Sequence, residues 1–339
     1  VGDGDGLVSE SDAPPHLSTD WSASLGLTAP VVCAPMGGAA GGRLAGAVSR
    51  AGALGMIGLG SAGSPALLAR ELAALEETGG TGGAPFGIGV VDWVARRTPE
   101  LLDHVLAAKP ALVSVGFTSG RFEWVEPVHR SGALATTQVY DVAEAVAARD
   151  AGVDVIVARG AEGGGHGDPR VGTLPLLDGV LDAIGGEAAV LAAGGVSSAR
   201  ALAAVLAAGA DGAWIGTAFA VCEESLFSDT ERQVLFAADG ADTVNTRTQD
   251  VAAGLPWPDR FPERVVRTAF TDEWAGREDA LRADADARAA FVDALARTDL
   301  TVVPLDAGQG VGVLRESRPA ADVIADLVAG AHALLARWT

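Results

Sequence analysis

The stretch ARGAEGGGHGD, residues 158–168, sets an imidazole on a backbone otherwise nearly bare of bulk. His166 follows three consecutive glycines, with Glu162 four residues and Arg159 seven residues before it. An imidazole changes charge near neutrality, so such a residue can act as a general base or as a hydrogen-bond donor. The other histidines stand elsewhere: His16 near the N-terminus, and His104, His129 and His332 in segments with helical periodicity, where a packed or solvated ring is expected. Glu162 and His166 are too few to hold a metal, and the H-E-x-x-H pattern is absent. Cys33 and Cys222 lie in separate apolar runs, so neither a metal site nor a disulfide framework is expected.

Two further glycine clusters offer bare backbone for an anion. Gly194-Gly195-Val196-Ser197 and Gly216-Thr217 each follow an apolar run. Glycine lets the chain approach a phosphate closely, and its amides attract the anion without a cationic side chain. Gly58-Leu59-Gly60-Ser61-Ala62-Gly63 fits G-x-G-x-x-G, but a dinucleotide fold needs an acidic residue ending a second strand some 20 positions on. Here Glu76 and Glu77 fall in or at the end of a helical segment, and with 45 glycines in the chain a chance match is expected. Gly116-Phe117-Thr118-Ser119-Gly120 superficially resembles a nucleophile elbow without identifiable partners, and reads as a loop lining the site. The lone lysine, Lys109, precedes a strand, which argues against Schiff-base chemistry.

Eight short apolar runs must position these groups: 31–36, 55–59, 86–91, 111–115, 133–139, 153–158, 189–194 and 211–216. Alanine-rich helical segments separate them, the rhythm of parallel βα units whose strands are buried on both faces. Several of these segments end in Ala-Gly, as at Ala51-Gly52, Ala151-Gly152 and Ala208-Gly209, which suits a left-handed residue after a helix. The expected fold is α/β, a (β/α)₈ TIM barrel with a mostly helical insertion after strand 8; an open doubly wound sheet gives a similar local pattern. The expected division is a disordered lead over 1–20, a barrel over 21–225 plus 301–339, and an insertion over 226–300 covering the active-site side. In a barrel the active groups sit at the C-terminal ends of strands, where all the glycine clusters above would fall.

With 339 residues, 49% of them hydrophobic, the chain can bury one large core. A formal charge of −20 argues against a nucleic-acid groove and against an anionic membrane surface. No run reaches the roughly 18 apolar residues of a spanning helix, no signal peptide is legible, and a cytoplasmic location is expected. A homo-oligomer is neither required nor excluded.

Taken together, the segments resemble the nitronate monooxygenase family, also called 2-nitropropane dioxygenases. The matching stretches are Ala34-Pro35-Met36-Gly37-Gly38 with AVSRAGALGMIGLG, VDVIVARGAEGGGH, AAGGVSSARALAAVLAAGADGAWIGTAFAVCEES, FTDEW and AGQGVGVLRES. The resemblance implies an FMN-dependent barrel with the cofactor across its mouth. It places Ala34, Met36 and Gly37 beside the flavin ring, Gln138 at its polar edge, and Gly164 and Gly165 in its neighbourhood. Gly194, Gly195, Gly216 and Thr217 would hold the phosphate, and Gln309 and Gly310 match a loop near the cofactor. His166 would be the catalytic base. Two positions depart from the family: Arg159 replaces a glutamine, and Gly89 replaces an asparagine. Arg159 is expected to set a fixed positive charge near the flavin or its phosphate.

The implied reaction is oxidation of alkyl nitronates, or nitroalkanes, by O₂ to a carbonyl compound and nitrite, with a small-molecule substrate and O₂ as partners. An FMN-dependent enoyl-acyl-carrier-protein reductase using NAD(P)H shares the histidine motif, and a phosphate-binding barrel without flavin redox activity is the third reading. Flavin absorbance separates the last from the first two.

Overall fold

The computed structural model describes residues 16–337; most of the expected lead lies outside them. Eight parallel strands form the barrel: Val31–Cys33, Gly55–Gly58, Phe86–Val91, Leu112–Gly116, Leu134–Val139, Val155–Arg159, Ala189–Ala193 and Gly212–Ile215. Neighbours pair in the order first, eighth, seventh, sixth, fifth, fourth, third, second. Closure comes from Leu54, which bridges to Val32; Cys33 N donates to the Leu54 carbonyl and Leu54 N to that of Val31, both at 2.9 Å. The open-sheet alternative is thereby replaced by a barrel.

The strands are apolar throughout because both faces are buried. Val32, Met56, Leu112, Val157, Leu191 and Trp214 fill the interior, while Ile57, Ile88, Val113, Ile156 and Ala213 meet the surrounding helices. Trp21, on the short helix Asp20–Ser24, joins the interior cluster. Thr19 caps that helix and donates through Oγ1 to the Asp211 carbonyl at 2.6 Å, tying the helix to the end of the barrel. Gly52, Gly152 and Gly209 have φ of 85°, 84° and 100°, the left-handed turn expected at those helix ends. The last helix, Ala320–Leu335, packs on Gly42–Arg50 and Ala199–Ala207 and completes the outer layer.

Residues 226–300 hold five α-helices, Asp229–Ala237, Thr248–Ala253, Ala269–Trp274, Glu278–Ala283 and Ala285–Ala296, and one 3₁₀ turn, Gly240–Asp242. Ala252, Trp274, Leu281, Phe291 and Ala294 give this segment a small core of its own. Two strands interrupt the helices, Thr243–Thr246 and Glu263–Val266, where β-branched residues favour extended chain. The second pairs antiparallel with Gly165–His166, so that His166 stands opposite Glu263 and Gly165 opposite Arg264. The glycine-histidine motif is thus tied by backbone pairing to the segment 226–300. No described helix is long and apolar enough to cross a membrane.

Candidate active site

A cavity of about 690 Å³ opens at the C-terminal ends of the strands, within the size range of small-molecule and cofactor sites. Of the expected site residues, Ala34, Met36, Gly37, Gln138, Arg159, Gly164, Gly165, His166, Gly194, Gly195, Gly216, Thr217 and Gly310 all line it. Gln309 does not; its amide donates to the Glu162 carbonyl at 2.9 Å, fixing the loop on which neighbouring Gly308 and Gly310 reach the cavity.

The glycine cradle has steric causes. A Cβ on Gly37 would stand 2.6 Å from Gly60 Cα, and one on Gly58 would strike the Pro35 backbone. The G-x-G-x-x-G motif therefore lets the first two strand-end loops approach each other. Gly194 and Gly195 have φ of 107° and 72°. Among the described residues, the amides of Gly194, Gly195 and Ser197 donate to no protein acceptor. Free amides on a backbone without side chains fit a phosphate, and the cavity's size fits a flavin mononucleotide. The residues present therefore fit the cofactor that the sequence implied.

Arg159 is almost fully buried, and its Nη2 lies 3.0, 2.9 and 3.1 Å from the carbonyl oxygens of Gly163, Gly164 and Gly165. The guanidinium thus clamps the glycine loop in addition to lining the cavity. Burial lowers its pKa, while Tyr140 and the acidic side chains of Asp306, Glu162 and Asp168 work the other way. A Cβ on Gly163 would stand 2.9 Å from Arg159 Cζ, and one on Gly167 would overlap the same guanidinium. Gly164 abuts Ala307 and Gly308. Three of the motif's glycines therefore make room for protein, and two of them, Gly163 and Gly164, also line the cavity. Glu162 is turned away from chemistry as well: its carboxylate accepts from Thr173 N at 2.9 Å and Thr173 Oγ1 at 2.8 Å at the start of helix Thr173–Ile184. The departure at Gly89 has a local reason, since Pro35 fills the space where any side chain would go.

His166 is mostly buried. Its Nε2 lies 2.9 Å from Asp250 Oδ2, and its ring lies on Trp257 with centroids 3.6 Å apart. Phe117 meets the imidazole edge-on at 6.4 Å. Phe117 has φ of 64°, unusual for a bulky residue and of the kind that clusters at functional sites. It belongs to the loop expected to line the site. Glu263 is fully buried, and burial, then Asp306 and Asp250, push its carboxyl well above the ordinary range. Asp306 is exposed to the cavity whose wall it lines, with Arg159 and His166 on the same wall. Burial raises its pKa, with His166 opposing, Asp250 reinforcing and Arg159 opposing.

Sequence spacing did not reveal Asp250, Trp257, Glu263 and Asp306 as site residues. All four line or border the His166 side of the cavity together with Gln249. Only the strand pairing of Glu263–Val266 brings them there, and no local motif announces it.

The family model for nitronate monooxygenase matches residues 92–330. Nitronate monooxygenase of Pseudomonas aeruginosa is 31% identical over 351 aligned positions, covering 90% of this chain and 96% of that one. A putative monooxygenase of Mycobacterium tuberculosis, Rv1533, is 36% identical over 174 residues, covering 51% of this chain and 44% of that protein. Among solved structures, FabK from Thermotoga maritima superposes with a TM-score of 0.83 at 27% identity, covering 95% of this chain and 98% of that one. Nitroalkane oxidase from Streptomyces ansochromogenes gives 0.77 at 26% identity, covering 93% and 99%. With the barrel, the histidine motif and the glycine cradle in agreement, the chain belongs to the nitronate monooxygenase family of flavin-dependent oxidoreductases.

Proposed function

We propose that the protein binds FMN and oxidises alkyl nitronates, and the nitroalkanes from which they form, to a carbonyl compound and nitrite at the expense of O₂. The observation that carries this reading is His166 itself, an imidazole facing the cavity with one nitrogen held by Asp250. When Nε2–H is donated to Asp250, the lone pair is left on Nδ1, which has no protein partner among the described residues. Nδ1 then takes the proton from the carbon bearing the nitro group. Asp250 and the face of Trp257 stabilise the imidazolium that results. Gly194, Gly195, Gly216 and Thr217 would hold the FMN phosphate, and Met36 and Gly37 would border its ring. The cofactor, once bound, supplies the electron transfer to O₂. Phe117 and Trp257 cover one edge and one face of the imidazole.

The test is His166→Asn assayed for O₂ uptake and nitrite release. The variant should keep its flavin and lose about 10²–10⁴-fold in turnover of neutral nitroalkanes, the usual worth of general-base assistance. Preformed nitronates need no deprotonation and should lose much less. Equal losses on both substrates would remove the base role.

A second reading, an FMN-dependent enoyl-acyl-carrier-protein reductase fed by NAD(P)H, is supported by the similarity to FabK. Nitronate-dependent O₂ uptake without pyridine nucleotide supports the first reading. Rapid NAD(P)H oxidation with an enoyl thioester supports the second.

A further inference from the structure

Buried acceptors without donors gather at one point of the cavity wall. Among the described residues, the buried side-chain carboxylate and amide oxygens that lack any hydrogen-bond partner are Gln249 Oε1, Asp250 Oδ1 and Glu263 Oε1. All three are closed to bulk solvent, and no protein donor reaches them. Leaving such oxygens unpaired is costly, and more so for charged groups. A hydrogen-bond donor, a proton or a small cation at this point would offset that cost. His166, Asp250 and Glu263 each present one ligand atom, and the three atoms lie within 4.8 Å of one another.

We propose that His166, Asp250 and Glu263 form a binding site for one divalent transition-metal ion of the zinc type. One imidazole nitrogen and two carboxylate oxygens are a donor set that such ions favour, and three protein ligands leave a further position open toward the cavity. The positions are fixed by the fold: Asp250 comes from helix Thr248–Ala253, and Glu263 is the strand partner of His166. Gln249 Nε2 donates to Glu263 Oε2 at 3.2 Å and orients the carboxylate. Asp306, on the same wall, adds negative charge. An ion on Nε2 would displace the hydrogen bond to Asp250 and leave the ring proton on Nδ1, so that metal loading would block the base assigned to Nδ1. This last consequence rests on the function proposed above, whereas the binding itself does not.

The competing occupant is a proton shared among the carboxyl groups. To separate the two, flavin-loaded protein is dialysed against a chelator and titrated with Zn²⁺ by calorimetry. We expect one saturable site per chain. Glu263→Gln and Asp250→Asn should each weaken it at least about tenfold, since even the partners that merely orient ligands carry 10–100-fold in affinity. Flavin absorbance and melting temperature show that the variants are folded, and Asp154→Asn controls for the surface pair His129–Asp154. Absence of stoichiometric binding, or binding that Glu263→Gln leaves unchanged, overturns the proposal. So does an infrared band of a protonated carboxylic acid that Glu263→Gln abolishes while Zn²⁺ fails to bind. Binding is read without turnover, so its failure leaves the nitronate assay undecided, and a failed nitronate assay leaves the metal site undecided.

Discussion

His166 lies flat against Trp257, the two rings 10° from parallel with centroids 3.6 Å apart, while its Nε2 points at Asp250. Stacking fixes the ring plane and the hydrogen bond fixes the rotation within it, so Nδ1 can face only one direction. Misplacing a reacting group by about an ångström commonly costs on the order of 10²-fold in rate. Trp257→Ala is therefore expected to lower kcat by about that factor at unchanged flavin content, and Trp257→Phe to recover most of it. Steady-state turnover of a nitroalkane checks this; a Trp257→Ala enzyme with normal kcat would show that Asp250 alone orients the base.

Arg159 supports the loop that carries His166. Removing its guanidinium leaves three inward carbonyl oxygens, those of Gly163, Gly164 and Gly165, without their donor. Arg159→Gln, which restores the family's usual residue, is expected to cost about 2–3 kcal/mol of stability and to weaken flavin binding along with it, because the loop lines the cavity. Urea unfolding and flavin titration measure the two effects. Weaker flavin binding at full stability would point instead to a direct charge on the cofactor.

Gly89 is the other departure, and here the family's asparagine should do harm. The ring of Pro35 occupies the space beside the Gly89 Cα. Gly89→Asn is expected to destabilise the barrel by about 1–3 kcal/mol, the usual effect of overfilling a packed core. A fully stable variant would mean that the first strand-end loop moves aside at little cost.

The barrel was legible because parallel strands buried on both faces leave unmistakable apolar runs, and each of the eight expected runs contains or overlaps an observed strand. The glycine loops were legible for a related reason: strand ends on one face of a barrel converge whatever the intervening helices do. What local sequence could not show is the pairing of Gly165–His166 with Glu263–Val266, which delivers Asp250 to His166 across a separation of 84 residues. The role of Arg159 was half legible. Its charge suggested a ligand, but a guanidinium seven residues before His166 can also fold back onto the turn between them, and here it does. Gln309 shows the reverse limit, a residue placed by resemblance near the cavity whose neighbours on either side reach it instead.

Cys33 and Cys222 are both buried and unpaired. Burial, with Glu224 reinforcing it, pushes the Cys222 thiol up to about 12, and burial, with Cys222 reinforcing it, raises Cys33 well above the ordinary value of 9.0. The folded protein therefore keeps protons that the unfolded chain would release. That contribution to stability is complete below pH 9 and is lost as pH rises toward 12, by up to about 1.4 kcal/mol per pH unit for each thiol. The midpoint of urea unfolding should fall over that interval, and Cys222→Ala, though less stable at neutral pH, should show a shallower decline. Alkylation gives a second measurement, because only a thiolate reacts at a useful rate. At pH 7.5 or so, iodoacetamide is expected to label neither cysteine in the native protein and both after unfolding, read by intact mass; rapid labelling of the native chain would mean that these thiols are exposed by local opening.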